Sequence, residues 1–374
     1  MQTPSFFKYT VLVCYIVFLH TACSKSGSQP KPIANDADAL VFVGSENDTI
    51  YALNATNGQK VWAVGTAKSI DFSSPTVFNG TLYIGSYDDT LRAINTKDGS
   101  IKWKFKTADR IRSSPIVYND IVYVGCRDGK VYAIAILNGS EVWQFPTSDN
   151  VSSSPTVYND VLYVGSNNGK LYAITATDGK KIWELETADR VSSSPTIADG
   201  VVYVGSDDDT LRAINAANGT IVWKLKTGDD VFSSPTISNG VVYVGSNDDT
   251  LRAINAADGT IVWKLKAGGD IVSSPTVYNG SVYVGCRDGK IYTRNVNVEG
   301  GDKTFVVSSF AISSSPTVSN GTLYVGSADS KLYAFTTDGA KKWEFSTSGA
   351  IYSSPCVLTK NGKVVHPGIS GEQQ

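Results

Sequence analysis

Val231-Phe-Ser-Ser-Pro-Thr-Ile237, Ser238-Asn-Gly240, Val241-Val-Tyr-Val-Gly-Ser246, Asn247-Asp-Asp249, Thr250-Leu-Arg-Ala-Ile-Asn255, Asp258-Gly259 and Thr260-Ile-Val-Trp263 spell out four β-rich runs and three turns. Asn-Gly and Asp-Gly between β-branched runs are strong hairpin signals, because glycine accepts the positive φ that the turn requires. The stretch therefore predicts a four-stranded antiparallel sheet, with strands A to D running from Ser-Ser-Pro to Trp. The proline falls at the start of A, where a missing ladder donor is tolerated.

The same pattern recurs along the chain. Ser-Ser-Pro places its proline at 75, 115, 155, 195, 235, 275, 316 and 355, a spacing of 40 residues apart from one 41 and one 39. Gly44, Gly85, Gly125, Gly165, Gly205, Gly245, Gly285 and Gly326 mark eight B strands against these eight A strands. The first copy starts at strand B, and the last supplies Ser353-Ser354-Pro355-Cys356-Val357 and little more, so one end completes the other. The expected fold is an all-β, eight-bladed β-propeller of four-stranded antiparallel blades, closed by pairing the C-terminal strand with the N-terminal blade. It should span residues 38–366, with 367–374 as a tail. Lys363 to His366 resembles a further B strand that this count does not need.

Composition narrows the function. The 33 Lys and Arg against 35 Asp and Glu give no broad field for nucleic acid. Lys8 precedes an apolar run, Tyr9 to Leu19, which ends in His20-Thr21-Ala22-Cys23 and a polar stretch. That run is short for a bilayer span. Residues 1–22 are expected to be a signal peptide and 23–37 a polar linker. The pattern resembles a bacterial lipoprotein signal, which implies lipidation of Cys23 and an exported, membrane-anchored protein, periplasmic or at the cell surface, with the outer membrane favoured. His20 stands where such signals usually carry an apolar residue.

Ala253-Ile-Asn-Ala-Ala-Asp-Gly-Thr-Ile-Val-Trp263, with kin at Trp62, Trp103, Trp143, Trp183, Trp223 and Trp343, resembles the tryptophan-docking motif of pyrroloquinoline-quinone-like propellers. Asn95, Asn215 and Asn255 depart from the Asp of that motif, while the Gly-to-Trp spacing is kept. The resemblance implies that each Trp packs between blades. The overall plan is similar to that of BamB-type lipoproteins of the outer-membrane β-barrel assembly machinery, which implies a non-catalytic scaffold. The units are very regular: 191–230 and 231–270 differ at seven of 40 positions.

Enzymes of the quinone-binding branch hold their cofactor with calcium beside a disulfide between adjacent cysteines. Neither adjacent cysteines nor a phosphate-binding loop occurs here. Cys126 and Cys286 replace the same serine four units apart, on opposite sides of an eight-fold ring, and read as small buried residues. Cys14 and His20 fall in the signal, leaving His366 as the one histidine for any Ser-His-Asp or Cys-His arrangement. Carboxylates cluster in the turns between B and C. There Asp89, Asp209 and Asp249 recur with Arg92, Arg212 and Arg252, which suggests local ion pairs rather than calcium sites. Asn-Gly-Thr and Asn-Gly-Ser at Asn79, Asn138, Asn218, Asn279 and Asn320 read as turn chemistry.

Two features could bind a partner. The B–C turns and D–A connections share one face, which collects Asp109, Arg110, Arg127, Asp189, Arg190, Asp229, Asp230, Asp270 and Arg287. The A–B and C–D turns form the other face, mostly Asn, Gly, Ser and Asp. Ser114, Ser154, Ser194, Ser234, Ser274, Ser315 and Ser354 recur on strand A and are expected to line a polar central channel, either as a ligand surface or simply to set where the strand starts. Unit seven, Asn295 to Phe305, lacks the Trp; either function or decay, with Phe305 in the Trp slot, accounts for it. The function expected is a non-enzymatic, lipid-anchored scaffold that binds protein partners in the cell envelope, with outer-membrane assembly as a candidate setting, without metal or cofactor. A quinone-binding oxidoreductase, with pyrroloquinoline quinone and calcium, and a glycan-binding surface propeller are the alternatives.

Overall fold

The computed structural model describes residues 39–296 and 300–367. The signal peptide, Cys23, the linker, residues 297–299 of the unit-seven hairpin and residues 368–374 lie outside the described residues. Within them the chain forms eight antiparallel sheets, seven of four strands and one of five. The A strands of successive sheets contact one another at seven of the eight junctions, Cys356–Leu358 meeting Thr76–Phe78 to complete the circle, and the Ser114 N–H donates to Ser154 at the eighth. The structure is the eight-bladed propeller that the repeats predict. No helix among the described residues is long and apolar enough to cross a membrane.

The blades are numbered I to VIII from the N-terminus. Blade I contains Leu40–Ser45, Thr49–Asn54 and Lys60–Gly65, and its inner strand is Cys356–Leu358, paired antiparallel with Leu40–Ser45. This is the expected closure between the two ends. Beyond it lies a strand the sequence left unexplained. Val364–Val365 turns back through Thr359–Lys363 and pairs with Cys356–Leu358 on its inner edge, adding a fifth strand inside the ring.

Local chemistry sets the turns. Asn79 and Gly80, with φ of 46° and 69°, both lie in the left-handed region, which is the hairpin turn that matches strand twist. The C–D glycines have a second reason to be glycine. A Cβ on Gly259 would come within 2.8 Å of the Trp223 ring, and one on Gly99 within 2.9 Å of Trp62. Six of the seven tryptophans thus lie on the glycine of the following blade, and their Nε1–H donates to a carbonyl there, as Trp62 does to Thr96 at 2.9 Å. Trp263, which faces the irregular hairpin of blade VII, has Arg294 over its ring at 4.5 Å instead. In blade VII Phe305 occupies the equivalent place against Gly339, so the slot is filled without a tryptophan.

Candidate functional site

The channel wall is built first, because it fixes where the faces lie. In every blade the first serine of Ser-Ser-Pro accepts the N–H of the strand-B glycine, from Gly44 to Ser353 and Gly85 to Ser73 through Gly326 to Ser314. The second serine accepts the backbone N–H of its counterpart in the preceding blade. Ser74 donates to Ser114, Ser114 to Ser154, Ser154 to Ser194, Ser194 to Ser234 and Ser234 to Ser274. Ser274 donates to Ser315, Ser315 to Ser354 and Ser354 back to Ser74, closing the circle. These hydroxyls are on the innermost strands, but they are engaged in joining blades. Thr76, Thr156, Thr196, Thr236, Thr276 and Thr317 add a second tier by donating to the next blade's proline carbonyl at 2.5 to 2.6 Å.

Cys356 replaces threonine in that tier, and there the fifth strand brings His366 Nε2 to 4.0 Å from its Sγ. Burial pushes the thiol up and holds the imidazole down at about 4, so both are neutral near pH 7. Cys126 and Cys286 are buried and free, and burial raises both thiols to about 12. Such thiols are poor nucleophiles.

The B–C turns correct the expected ion pairs by one residue. Arg92 grips Asp88, not Asp89, through both guanidinium nitrogens, and Arg212 and Arg252 grip Asp208 and Asp248 in the same way. Asp89, Asp209 and Asp249 instead meet Lys106, Lys226 and Lys266. The fourth turn position is Asp, Gly or Ser because its φ is positive, as at Asp89 (59°), Gly129 (79°) and Ser330 (71°). The third position is always Asp or Asn. Where the Arg is absent, a tyrosine takes its place: Tyr132 donates to Asp128 at 2.6 Å, and Asn168 and Asn47 donate to Tyr172 and Tyr51 at 2.7 Å.

The same side chain reaches the preceding blade, since Asp88 Oδ2 accepts the Ala67 N–H at 3.0 Å and Asp248 Oδ2 that of Gly228 at 2.8 Å. Burial alone would raise Asp88, but the Arg92 and Ala67 hydrogen bonds overcome it and hold the carboxyl at about 2. Sequence reasoning missed this because the third position is Asp with Arg and with Tyr alike, so it shows no covariation with its partner.

On the D–A face the expected residues separate into two sectors. Near blades V and VI, carboxylate oxygens of Asp229, Asp230 and Asp209 lie within 4.8 Å of one another. Burial, then Asp230 and Asp189, raise neighbouring Asp207 to about 7. Asp189 and Arg190 are exposed here, and Arg190 partly offsets this acidity. Asp270 pairs with Arg287 at 2.7 Å. On the opposite side, around blades II and III, Arg110 and Arg127 are adjacent, the Arg127 N–H donating to the Arg110 carbonyl at 3.0 Å. The Asp109 carbonyl accepts from Thr107 and from the Cys126 thiol.

Sequence spacing counted on proline also hid an insertion. Seven units have one residue between the buried aliphatic side chain and Ser-Ser-Pro, as in Ile111-Arg112-Ser113, whereas Ile70 is followed by Asp71 and Phe72. Ile70 and Ile111 pack alike on Gly44 and Gly85, so the extra residue bulges at the channel lip. Phe72 stacks on Tyr352 there, with centroids 5.5 Å apart.

These positions bear on the quinone alternative. The stacked rings that could face a planar cofactor lie beside Arg112 and Arg127, while the crowded carboxylates that could hold calcium sit across the ring. This separation does not fit a quinone and calcium held together.

A family model described as "Beta-alanine-activating enzyme, beta-propeller" matches the chain over residues 79–308 and 157–368. No curated protein matches it. Among solved structures, the computationally designed Ika8 protein superposes with a TM-score of 0.69 at 14% identity, covering 80% of this chain and 96% of that one. BamB from Moraxella catarrhalis superposes with a TM-score of 0.66 at 18% identity, covering 81% and 95%. At these identities the likeness concerns the fold.

Proposed function

We propose, from the premise that this chain belongs to the β-propeller family described by the beta-alanine-activating enzyme, that it is a non-catalytic scaffold whose D–A face docks protein partners in the cell envelope. One observation carries this reading. Among the described residues, the hydroxyl, thiol and imidazole groups that could do chemistry are engaged or buried within the ring, while the D–A face presents exposed charged side chains that join no blades, Arg110, Arg190 and Asp229 among them. Ser-Ser-Pro hydroxyls bridge blades, the described cysteines Cys126, Cys286 and Cys356 are buried with raised pKa, and His366 is held neutral. Loops on a rigid ring are where recognition concentrates, and charges there set specificity and association rate more than fold stability. The structural likeness to BamB is compatible with such a role, and no cofactor or metal is part of the proposal.

Capture from detergent-solubilised membranes tests the face. Reversing Arg110, Arg190, Asp229 and Asp230 together should abolish partner recovery while leaving the thermal midpoint nearly unchanged. Changing Asn79, Asn239 and Asn279 to Lys on the other face should leave recovery intact; the opposite pattern moves the site there. Acquisition of cofactor absorbance with pyrroloquinoline quinone and calcium, with dye reduction by alcohols or sugars, would replace the scaffold reading with an enzymatic one. The proposal includes a lipid anchor at Cys23. Cys23→Ala should release the protein from membranes, and retention after a salt wash places the anchor elsewhere.

A further inference from the structure

Most cations on the D–A face have a carboxylate partner. Arg92, Arg212 and Arg252 are gripped by the third turn position, and Arg287 by Asp270. Among the described residues Arg110, Arg112 and Arg127 form no ion pair, although they lie together. Arg112 and Arg127 both act on the buried carboxyl of Asp71, whose Oδ2 accepts the Tyr87 hydroxyl at 2.6 Å. Aromatic rings hold two of the guanidiniums in place. Arg112 lies over Phe72 at 4.0 Å and Arg110 over Tyr87 at 5.1 Å from the ring centroids.

A guanidinium lying on a ring keeps its N–H edge free and has already lost much of its rotamer freedom, so little ordering remains to be done on binding. Asp71 and Glu46, whose carboxyls act on each other, stand against three guanidiniums, which leaves the corner cationic by one charge. It adjoins an open pocket of about 450 Å³ lined by Glu46, Asp48, Lys68, Tyr87 and Arg110. The geometry points to a site for an acidic peptide segment: a Glu or Asp side chain set against Arg112 and Arg127, with the peptide's N–H groups turned towards Glu46 and Asp48. Bidentate guanidinium–carboxylate pairing supplies the specificity. The two wall carboxylates disfavour a dense phosphate while accepting from amide donors. The inserted Asp71-Phe72 supports this assignment, because seven other units close the ring without it.

The inference rests on the docking face proposed above and names the chemistry of what docks. An immobilised array of hexapeptides carrying one or two Glu or Asp residues, each beside its Gln or Asn twin, is probed with the full chain in detergent. Acidic members should be retained at least tenfold better than their twins. Arg112→Gln with Arg127→Gln should remove that difference, and Arg190→Gln should not, with thermal midpoints unchanged in both. Equal retention of acid and amide, no retention, or an unaltered preference in the double variant overturns the inference. So does binding of phosphatidylglycerol vesicles in place of peptides. If peptide selectivity fails while the four-charge reversal still abolishes partner capture, only this inference falls. If capture survives that reversal, the docking face itself is wrong.

Discussion

Within each unit, Ser-Ser-Pro and the second residue of the B–C turn vary in opposite ways. Ser-Ser-Pro is the same in all eight copies, while the turn residue is Glu46, Tyr87, Arg127, Asn167, Asp207, Asn247, Arg287 or Ala328. The first serine is held by the glycine N–H of its own blade and the second by the serine N–H of the blade beside it, so a side chain without a hydroxyl leaves a buried N–H unmatched. The turn residues overhang the wall without joining blades, and nothing in closure constrains them. Positions that join blades should therefore control stability alone, and positions at the lip should control binding alone.

The sharpest break of that contrast is at the third turn position. Asp88→Ala leaves Arg92, 4% exposed, without its partner and frees the Ala67 N–H. Stranding a buried charge costs about 3–5 kcal/mol, readable by chemical unfolding. Because the Asp88 carboxyl is held at about 2, below its ordinary 3.8, its stabilisation is complete above pH 4 and fades as the pH falls through 2. The penalty of the substitution should shrink over that window. Arg92→Tyr recreates the pair seen at Tyr132 and Asp128 and should cost under about 1.5 kcal/mol. Equal costs for the two variants would show that Arg and Tyr are not interchangeable partners.

Next in size is the Trp seat. A Cβ on Gly259 meets the Trp223 ring at 2.8 Å, on a backbone with φ of 75°. Gly259→Ala should cost about 1–3 kcal/mol through overpacking and strain. Gly240→Ala, at a similar φ but with no neighbour within 4 Å, isolates the backbone share and should cost less. Should the two match, the Trp contact contributes nothing. Ser114→Ala follows, since it strands the Ser74 N–H that bonds to it at 2.9 Å. Loss of one such bond is worth about 1–2 kcal/mol, and binding of partner should be unaltered.

How much of this was legible in the sequence follows from the same contrast. Ser-Ser-Pro, the Asn-Gly turns and the Gly-to-Trp spacing announce the blades because each repeats at the period of the fold. The ring closure was legible because Leu40–Ser45 lacks an A strand that Cys356–Leu358 supplies. Asp88 was misjudged for a physical reason: its neighbour Asp89 stands at a positive-φ position that takes Asp, Gly or Ser, and the choice among them coincides with the Arg or Tyr beyond it. Val364–Val365 could be recognised as a strand but not placed, because the blade count was already full. The lip was least legible. Phe72, Arg112 and Tyr352 are far apart in sequence and meet only where blades I, II and III converge, and the inserted residue beside them leaves the proline spacing unchanged.

The smallest effect separates the two sides of the lip itself. Asp71 and Asp207 both have raised carboxyls through burial, but Asp71 faces Arg112 and Arg127, which pull it back, whereas Asp207 faces Asp230 and Asp189, which push it further, to about 7. Asp207 therefore holds its proton more tightly in the folded chain than in the unfolded one, whose ordinary value is 3.8. Between those two values the folded state binds the extra proton, so stability falls as the pH rises through the window and levels off above 7. Asp207→Asn removes the charge without changing shape. It should leave stability unaltered at pH 4 and raise it at pH 8, by about 1 kcal/mol once partial exposure is discounted from the roughly 1.4 kcal/mol per pKa unit. Side-chain carbon shifts of Asp207 across the same range provide the direct check. A midpoint near 4, or a stabilisation that is the same at both pH values, would mean that the acidic sector is already compensated and that the two sides of the lip do not differ in charge.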